Sequence, residues 1–318
     1  MTRPVPLLLA ALALAVPLSL LAGQVWINPL DPNLPGAIPI LFELRAPRAV
    51  LALVIGAGLG AGGSAMQGYL RNPLADPGLF GIAPMAALGA VLSFATGLTL
   101  ALPLFALIGA AAAMAGLGLI AAGNARSTAL FTLAGLMLAS LAGALTSLMI
   151  SLAPNPFALS EIVTWLMGSL ADRSWNDVAI AAPPTALGLF ALSRAGSALD
   201  ALTLGEDTAR SLGFSPQRLL WLMVLGIGLV VGAGVAVAGI IGFVGLMVPH
   251  LVRPFTDQRP SSLLAPSALG GALLLLISDC LCRILPLSGG ELRLGIALSL
   301  IGAPFFLHLL LRLRSEIA

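Results

Sequence analysis

Residues 46–68 read APRAVLALVIGAGLGAGGSAMQG, and the only charged side chain in this stretch is that of Arg48. An α-helix needs about 20 predominantly apolar residues to cross the hydrocarbon core of a bilayer. Gly56 and Gly60, and likewise Gly58 and Gly62, lie four residues apart. Because small residues at this spacing let helix backbones approach closely in lipid, the stretch predicts a membrane-spanning helix that packs against others.

The rest of the chain has the same character. Of its 318 residues, 59% are hydrophobic and 9% are charged, and the mean hydropathy is +1.06. A soluble domain carries about a quarter charged residues, so we expect an all-α, polytopic membrane helix bundle forming one domain over residues 1–318. The apolar runs predict about ten transmembrane helices, at 5–27, 46–68, 79–98, 101–122, 128–152, 176–194, 218–239, 240–256, 262–283 and 293–312.

Charge counts bear on orientation and on function. All 15 basic residues are arginine. With both termini in the cytoplasm, ten arginines fall inside and five outside, namely Arg45, Arg48, Arg173, Arg283 and Arg293. This asymmetry favours the N-in, C-in orientation. Without lysine the chain has no phosphate-binding loop of the Gly-Lys-Ser/Thr type, so it should not bind ATP itself, and the net charge of +2 gives no reason to expect nucleic acid.

Few residues could bind a metal ion or form a disulfide. Cys280 and Cys282 are two apart, and the chain has only two histidines. Residues two apart on a helix point in different directions, so both cysteines should be free thiols and no metal site is expected.

Two loops are longer than packing requires. The predicted outer loop, about 153–175, contains an amphipathic stretch with Trp165 that should lie at the membrane interface. The predicted cytoplasmic loop, about 195–217, has Glu206 and Asp207 where a helix begins and Gly213 where it would end. We expect a short helix there, with Ala209, Leu212 and Phe214 forming an apolar knob. It is either an ordinary surface helix or a docking element for another protein.

Several segments, taken in order, resemble one family. They are LRAPR at 44–48, RNPLADP at 71–77, LGEDTARSLG at 204–213, GFVGLMVPHLVR at 242–253, Asp279 with Arg283, and IGAPFF at 301–306. Together they resemble the FecCD-type, or type II, ABC importer permeases, the membrane subunits of bacterial importers for vitamin B12, haem and ferric siderophores. One departure is Arg293, where the family usually has proline.

The resemblance implies a set of partners. The permease would be a homodimer in the inner membrane, with two cytoplasmic ATPase subunits and a periplasmic substrate-binding protein. ATP would be used by the ATPase chains, and this chain would bind no cofactor and would not itself be an enzyme. The cargo would be a metal chelate, with ferric siderophore favoured and cobalamin or haem as alternatives.

The resemblance also implies residue roles. Arg45, Arg48 and Arg283 match positions that meet glutamates of the binding protein, although arginines at span ends also snorkel to lipid headgroups. Thr128 matches an inner gate, or is simply a helix start. The residues that match the ATPase coupling helix are Leu204, Gly205, Glu206, Asp207, Ala209, Arg210, Leu212 and Gly213.

Two inferences come from the residues alone. Asp279 and Arg283 are four apart with the acid first, the favourable order for a helical ion pair, so Asp279 should orient Arg283. A transporter driven by an ion gradient is the alternative from another class, but it would usually place ionisable groups in mid-span. Here the acidic residues fall almost entirely in loops or near span ends.

Overall fold

The computed structural model describes residues 4–23, 25–27, 37–79, 81–122, 128–153, 155–285 and 290–317. Within these ranges the regular structure is entirely helical, as predicted. The helices are α1 Pro4–Leu21, α2 Ala46–Leu70, α3 Ile82–Ala95, α4 Leu102–Ala122, α5 Thr128–Ser151, α6 Pro156–Leu166, α7 Trp175–Leu202, α8 Glu206–Ser211, α9 Pro216–Ala238, α10 Val244–Val252, α11 Pro260–Ile284 and α12 Leu294–Ile317. A π-helical turn, Ile40–Arg45, leads into α2.

Eight of the described helices are long and apolar enough to cross a membrane: α1, α2, α4, α5, α7, α9, α11 and α12. The multi-pass fold is therefore confirmed. The two other predicted spans correspond to α3, with 14 residues, and α10, with 9. At 1.5 Å per residue these helices are roughly 21 Å and 14 Å long, shorter than a hydrocarbon core of about 30 Å.

Backbone turns with positive φ explain why these helices are short. Gly81 (φ +79°) precedes α3, and Phe243 (φ +66°) precedes α10. The segment between α2 and α3 folds back into the bundle, so that a Cβ added at Gly245 would lie 2.7 Å from Cδ of Pro77. Gly239 (φ +73°) ends α9. The predicted seventh and eighth spans are thus separate helices, and the five residues 239–243 join them.

The centre of the bundle is formed by α2 and α9. In each of them, 78% of the residues in the most apolar 18-residue stretch are buried. The corresponding share is 11–28% in α1, α4, α5 and α7, whose apolar faces are available to lipid. Helix α2 packs against α7, α9, α10 and α11. Cβ atoms at Gly56 and Gly60 would overlap the carbonyl oxygens of Gly271 and Ser267 on α11. The predicted close helix contacts at these glycines lie within one subunit.

Helix α7 is longer than the predicted sixth span. It continues to Leu202, so residues 195–202 of the predicted cytoplasmic loop are helical. The extension is held by α11, because the backbone N–H of Ser261 donates to the Asp200 carboxylate at 2.8 Å. In the predicted outer loop, Asn155 caps the start of α6 through the N–H of Ala158 at 2.9 Å, and the amphipathic helix forms about three residues earlier than expected.

Candidate functional site

The packing of α2 against α11 defines two ends of the molecule. Helices α2 and α11 run antiparallel, since Arg48 at the start of α2 meets Asp279 near the end of α11, while Gly68 at the end of α2 lies beside Pro260. We call the end with Arg45, Arg48 and Arg283 the arginine end. The opposite end, which carries Glu206–Ser211, is the α8 end.

At the arginine end, one buried carboxylate serves two guanidinium groups. Asp279 has no exposed surface. The Nε atom of Arg48 donates to both oxygens of Asp279 at 2.9 Å, and Nη2 lies 2.9 Å from Oδ1. The Nε atom of Arg283 lies 3.2 Å from Oδ2. The predicted Asp279–Arg283 pair is confirmed, and Arg48 is an additional partner.

A second acid completes this network. The Nη1 atom of Arg48 lies 2.7 Å from Oε2 of Glu291, whose side chain is 34% exposed. Arg283 also donates to the carbonyl oxygen of Ser19 at 3.1 Å and to Sγ of Cys280 at 3.2 Å. The two arginines and two acids carry no net charge together, which lowers the free energy cost of burying them. The network ties α1, α2, α11 and the segment just before α12 together.

The three candidate docking arginines therefore lie close together, but they are not equally accessible. Arg48 is 8% exposed and Arg283 is 4% exposed. Arg45 is half-buried, and it donates to the carbonyl oxygens of Leu20, Leu21 and Val25 at 2.8–2.9 Å, which closes the end of α1. All three side chains hold helices together at this end of the molecule.

The α8 end has the short helix that the acidic start and Gly213 predicted. Gly205 (φ +103°) precedes α8 and Gly213 (φ +87°) follows it. Ala209 is 7% exposed, and with Phe214 it lines a narrow cleft against Tyr69, Ala198 and Leu202.

The composition of the predicted apolar knob was wrong, because Ala209 and Phe214 attach α8 to the bundle. The two leucines that project from this segment are Leu212, 59% exposed, and Leu204, 65% exposed.

Charge contacts connect α8 to its neighbours. Arg71, which ends α2 in a left-handed conformation (φ 49°), lies 3.9 Å from Glu206. Arg210 lies 3.5 Å from Asp207, whose side chain is 99% exposed. The contact between Arg71 and Glu206 joins the start of α8 to the end of the central helix α2.

Sequence reasoning missed a second set of polar contacts, where the segment between α2 and α3 folds back. Gln67 donates to the carbonyl oxygen of Gly245 at 3.3 Å and accepts from Arg253 at 2.8 Å. Asp76 is buried and accepts from the N–H of Gly78 at 2.7 Å. Burial raises the pKa of Asp76 to about 6, while hydrogen bonds from the backbone of Gly78 and Leu246 oppose that rise. The RNPLADP motif contained the signal, since it places an acid between two prolines beside an apolar span.

The remaining candidate positions are Thr128, His250 and the two cysteines. Thr128 is the first residue of α5, but its side chain lies outside the described part of the molecule. His250 packs edge-on against Phe305, with ring centroids 5.9 Å apart. Cys280 and Cys282 are free thiols, as predicted. In the ranges that the structure describes, no group of three His, Cys, Asp or Glu residues could hold a metal ion.

This arrangement defines a class of protein. The chain is a multi-pass membrane bundle with a buried ion network at one end and a small helix projecting apolar side chains at the other. The class that these features define is that of polytopic membrane proteins with a short surface helix at one end.

The chain belongs to the FecCD transport family, whose model matches residues 10–312. It is 38% identical over 301 residues to the vitamin B12 import system permease protein BtuC of Vibrio cholerae, covering 93% of this chain and 89% of that protein. It is 39% identical over 282 residues to the Fe(3+) dicitrate transport system permease protein FecD of Escherichia coli, covering 86% of each. The chain is thus a transport permease subunit of the inner membrane, and its family is not one of enzymes.

A solved structure agrees with this assignment. It is described as an inward-facing conformation of a metal-chelate type ABC transporter, and it matches with a TM-score of 0.89 and 32% sequence identity over 98% of this chain and 100% of the other. The chain is therefore a permease of a type II ABC importer of metal chelates.

Proposed function

We propose that this permease imports a ferric siderophore, with cobalamin or haem as the alternative cargo of the same mechanism. The observation that carries the ATP-driven importer mechanism is the segment 204–213, which is seated on the bundle through Ala209 and leaves Leu204 and Leu212 exposed. A surface of this kind at the end of a membrane protein suits a groove on another protein. Both iron chelates and vitamin B12 are named for relatives of this chain.

The partners follow from that surface. Two cytoplasmic ATPase subunits would each receive one α8 from a homodimer of this chain, and a periplasmic substrate-binding protein would sit at the arginine end. This places both termini in the cytoplasm. The permease itself would hold no nucleotide, metal or other cofactor, and the ATPase subunits would use ATP.

Coupling would run through the segment 204–213. Leu204 and Leu212 would fill apolar sites on the ATPase, and Asp207 and Arg210 would meet charges at the rim. Gly205, Glu206, Ala209 and Gly213 would fix the angle of the helix, because the two glycines adopt positive φ and Ala209 packs inward. Glu206, 3.9 Å from Arg71, would pass the movement to α2. Thr128 would act as the inner gate at the start of α5.

Docking of the binding protein would use Arg45, Arg48 and Arg283. Arginine suits this role because its planar fork pairs with a carboxylate through two hydrogen bonds. Glu291 already occupies Nη1 of Arg48 at 2.7 Å and is partly exposed. A glutamate of the binding protein would therefore replace Glu291 on Arg48, while Asp279 continues to hold Arg48 and Arg283 in place.

The experiment is uptake of labelled ferric siderophore, haem and cobalamin by cells that lack this gene, complemented with the wild type or with Leu212→Asp. We expect the wild type to restore one cargo and the variant to insert normally without restoring it. Restoration by both forms, or uptake that survives ATP depletion and stops when the ion gradient is collapsed, would contradict the proposal and favour a secondary transporter.

A further inference from the structure

A pocket at the α8 end lies where three long helices end or begin. It has a volume of about 320 Å³, and its walls include Gln67 near the end of α2, Thr203 directly after α7 and Pro260 at the start of α11. Two arginines, Arg71 and Arg253, also line it. We call it the Arg253 pocket. Its volume falls within the usual range for small-molecule sites, roughly 300–1,000 Å³.

The charges of the Arg253 pocket are not balanced. None of the described residues that line it is acidic. Nη2 of Arg71 lies 3.9 Å from Oε1 of Glu206, which is a loose ion pair. Arg253 forms no ion pair within the described ranges, and its Nη2 donates at 2.8 Å to the neutral side chain of Gln67. Two arginines and one acid leave a positive charge in excess, unlike the neutral network at the arginine end.

Three further acids in the neighbouring segments do not supply the missing charge. The Asp200 carboxylate accepts from both the backbone N–H and the hydroxyl of Ser261. Asp76 accepts from the N–H of Gly78 at 2.7 Å, and Asp257 is exposed to solvent. None of the three lines the Arg253 pocket. An anion from outside the described part of the chain would therefore meet both arginines without a competing carboxylate in the pocket.

The position of the pocket indicates where such an anion would come from. Helices α2, α7 and α11 are each long and apolar enough to cross a membrane, and a spanning helix ends where the hydrocarbon core gives way to the lipid headgroups. Helix α7 also has an apolar face available to lipid, and Thr203 follows it directly. The pocket therefore lies at the level of the lipid phosphates and borders the bilayer. Basic pockets between membrane-spanning helices are typical sites for anionic lipid headgroups.

The pocket also offers the donors that a phosphate group needs. The planar guanidinium groups of Arg71 and Arg253 can each donate two parallel hydrogen bonds to phosphate oxygens. Asn72 and Gln258 line the pocket and are exposed. Because Oδ1 of Asn72 accepts from the N–H of Leu74 at 3.0 Å, the amino group of Asn72 remains as a donor. A phosphodiester carries a single negative charge, which matches the excess charge of the pocket.

We propose that the Arg253 pocket binds the phosphate group of an anionic phospholipid headgroup through Arg71 and Arg253. The inference goes beyond the transport function and does not depend on the cargo. Since Arg71 also contacts Glu206, the bound lipid would lie beside α8, the helix proposed to meet the ATPase.

The test uses the full-length permease assembled with its ATPase subunits and purified in detergent. The complex is titrated with phosphatidylglycerol, or with phosphatidylcholine as a phospholipid without net charge, and bound lipid is measured by native mass spectrometry. The variants that change the pocket are Arg71→Gln, Arg253→Gln, the double variant of these two, and Asn72→Asp. Asn72→Asp keeps the oxygen that accepts from Leu74 and adds a negative charge at an exposed position.

Two control variants match these changes outside the pocket. Arg218→Gln removes an arginine that is exposed at the start of α9 and does not line the pocket. Asn155→Asp adds the same charge at the start of α6, where a carboxylate oxygen can still accept from the N–H of Ala158.

We expect the wild type to prefer phosphatidylglycerol over phosphatidylcholine. Each pocket variant should weaken phosphatidylglycerol binding about fivefold, the effect of one basic residue at an anionic lipid surface. Phosphatidylcholine binding should not change, and both controls should behave as the wild type. Equal affinity of the wild type for the two lipids would overturn the proposal, as would an equal loss of both lipids in the variants. If the arginine variants do not assemble, wild-type binding of phosphatidylglycerol by Asn72→Asp would overturn it as well.

Competition separates a lipid headgroup from free phosphate, which has the same chemistry. Excess inorganic phosphate is added to the complex loaded with phosphatidylglycerol. We expect the lipid to stay bound, because its acyl chains hold it beside α7. Displacement of the lipid by inorganic phosphate would assign the pocket to free phosphate and overturn the lipid as its occupant. None of these outcomes bears on the cargo, so uptake assays test the proposed function separately.

Discussion

Arg48 and Asp279 are 231 positions apart in the sequence, yet Nε of Arg48 donates to both oxygens of the Asp279 carboxylate at 2.9 Å. The pair joins the first turn of α2 to the last turns of α11, the two helices that approach most closely through Gly56 and Gly60. Asp279 has no exposed surface, and it also holds Arg283 at 3.2 Å. One carboxylate thus fixes two helices and a second guanidinium.

Asp279→Asn should strongly destabilise the protein. It leaves two buried arginines with a neutral amide, and breaking a buried ion pair by removing one partner costs about 3–5 kcal/mol. The measurement is thermal unfolding of the detergent-solubilised permease. Glu291→Gln is the control, because Glu291 is 34% exposed and should cost about 1 kcal/mol or less. Equal melting temperatures for Asp279→Asn and the wild type would show that the network contributes little.

Glu291→Gln should also change docking. If a glutamate of the binding protein replaces Glu291 on Arg48, then removing the internal competitor frees Nη1 of Arg48 for the partner. We expect binding of the cognate binding protein to tighten several-fold. The affinity should also become more sensitive to salt, because the ion pair between Arg48 and the partner's glutamate, which salt screens, contributes more to it. Surface plasmon resonance with nanodisc-embedded permease measures this, and weaker binding by Glu291→Gln would mean that Glu291 positions Arg48 for docking instead of competing.

Gly213→Pro and Leu212→Asp should uncouple transport from ATP hydrolysis without preventing insertion. Gly213 has a φ of +87°, which proline cannot adopt, and its N–H donates to the carbonyl oxygen of Arg210 at 2.8 Å. Leu212 is 59% exposed, so a charge there disturbs a partner and leaves the bundle intact. The measurement is cargo uptake and ATPase rate in proteoliposomes, with Gln217→Asp, exposed at the start of α9, as the control. Normal uptake by both variants would show that α8 does not couple ATP hydrolysis to transport.

Features encoded locally were predictable from the sequence. Glu206 and Asp207 at the start of α8 and Gly213 after its end are adjacent signals, and the Asp279–Arg283 pair follows from helical spacing. The ends of α3 and α10 were not predictable to the same degree. Positive-φ turns at Gly81 and Phe243 precede these helices. The segments that contain the turns pack together where Pro77 meets Gly245, about 170 residues away in the sequence, and apolar composition cannot report such a contact.

The candidate site was predicted in part for the same reason. Arg48 is the only charge in residues 46–68, but nothing local shows that its side chain is buried or distinguishes Asp279 from other acids as its partner. The inward orientation of Ala209 and Phe214 depends on the shape of the cleft beside Tyr69 and Leu202. The sequence contains the residue types of the site, while their pairing is decided by helix packing.

Asp76 should give the protein a distinctive pH dependence. Burial raises its pKa from 3.8 to about 6, so the folded protein holds this proton more tightly than the unfolded chain does. The contribution of this carboxyl group to the free energy of unfolding is therefore greatest below about pH 4. It falls by about 3 kcal/mol as the pH rises through about 6. Asp76→Asn cannot ionise and does not suffer this loss.

The melting temperature of Asp76→Asn minus that of the wild type should therefore increase between about pH 4.5 and pH 7. The amide oxygen of the variant can still accept the N–H of Gly78, now 2.7 Å from Oδ1, so the turn is kept. Asp257→Asn is the control, since Asp257 is exposed and the hydroxyl of Ser262 lowers its pKa, which predicts no such increase. A difference for Asp76→Asn that stays flat or shrinks with rising pH would mean that this carboxyl group is ionised in the folded protein throughout the range, and that the segment between α2 and α3 is stabilised by its charge.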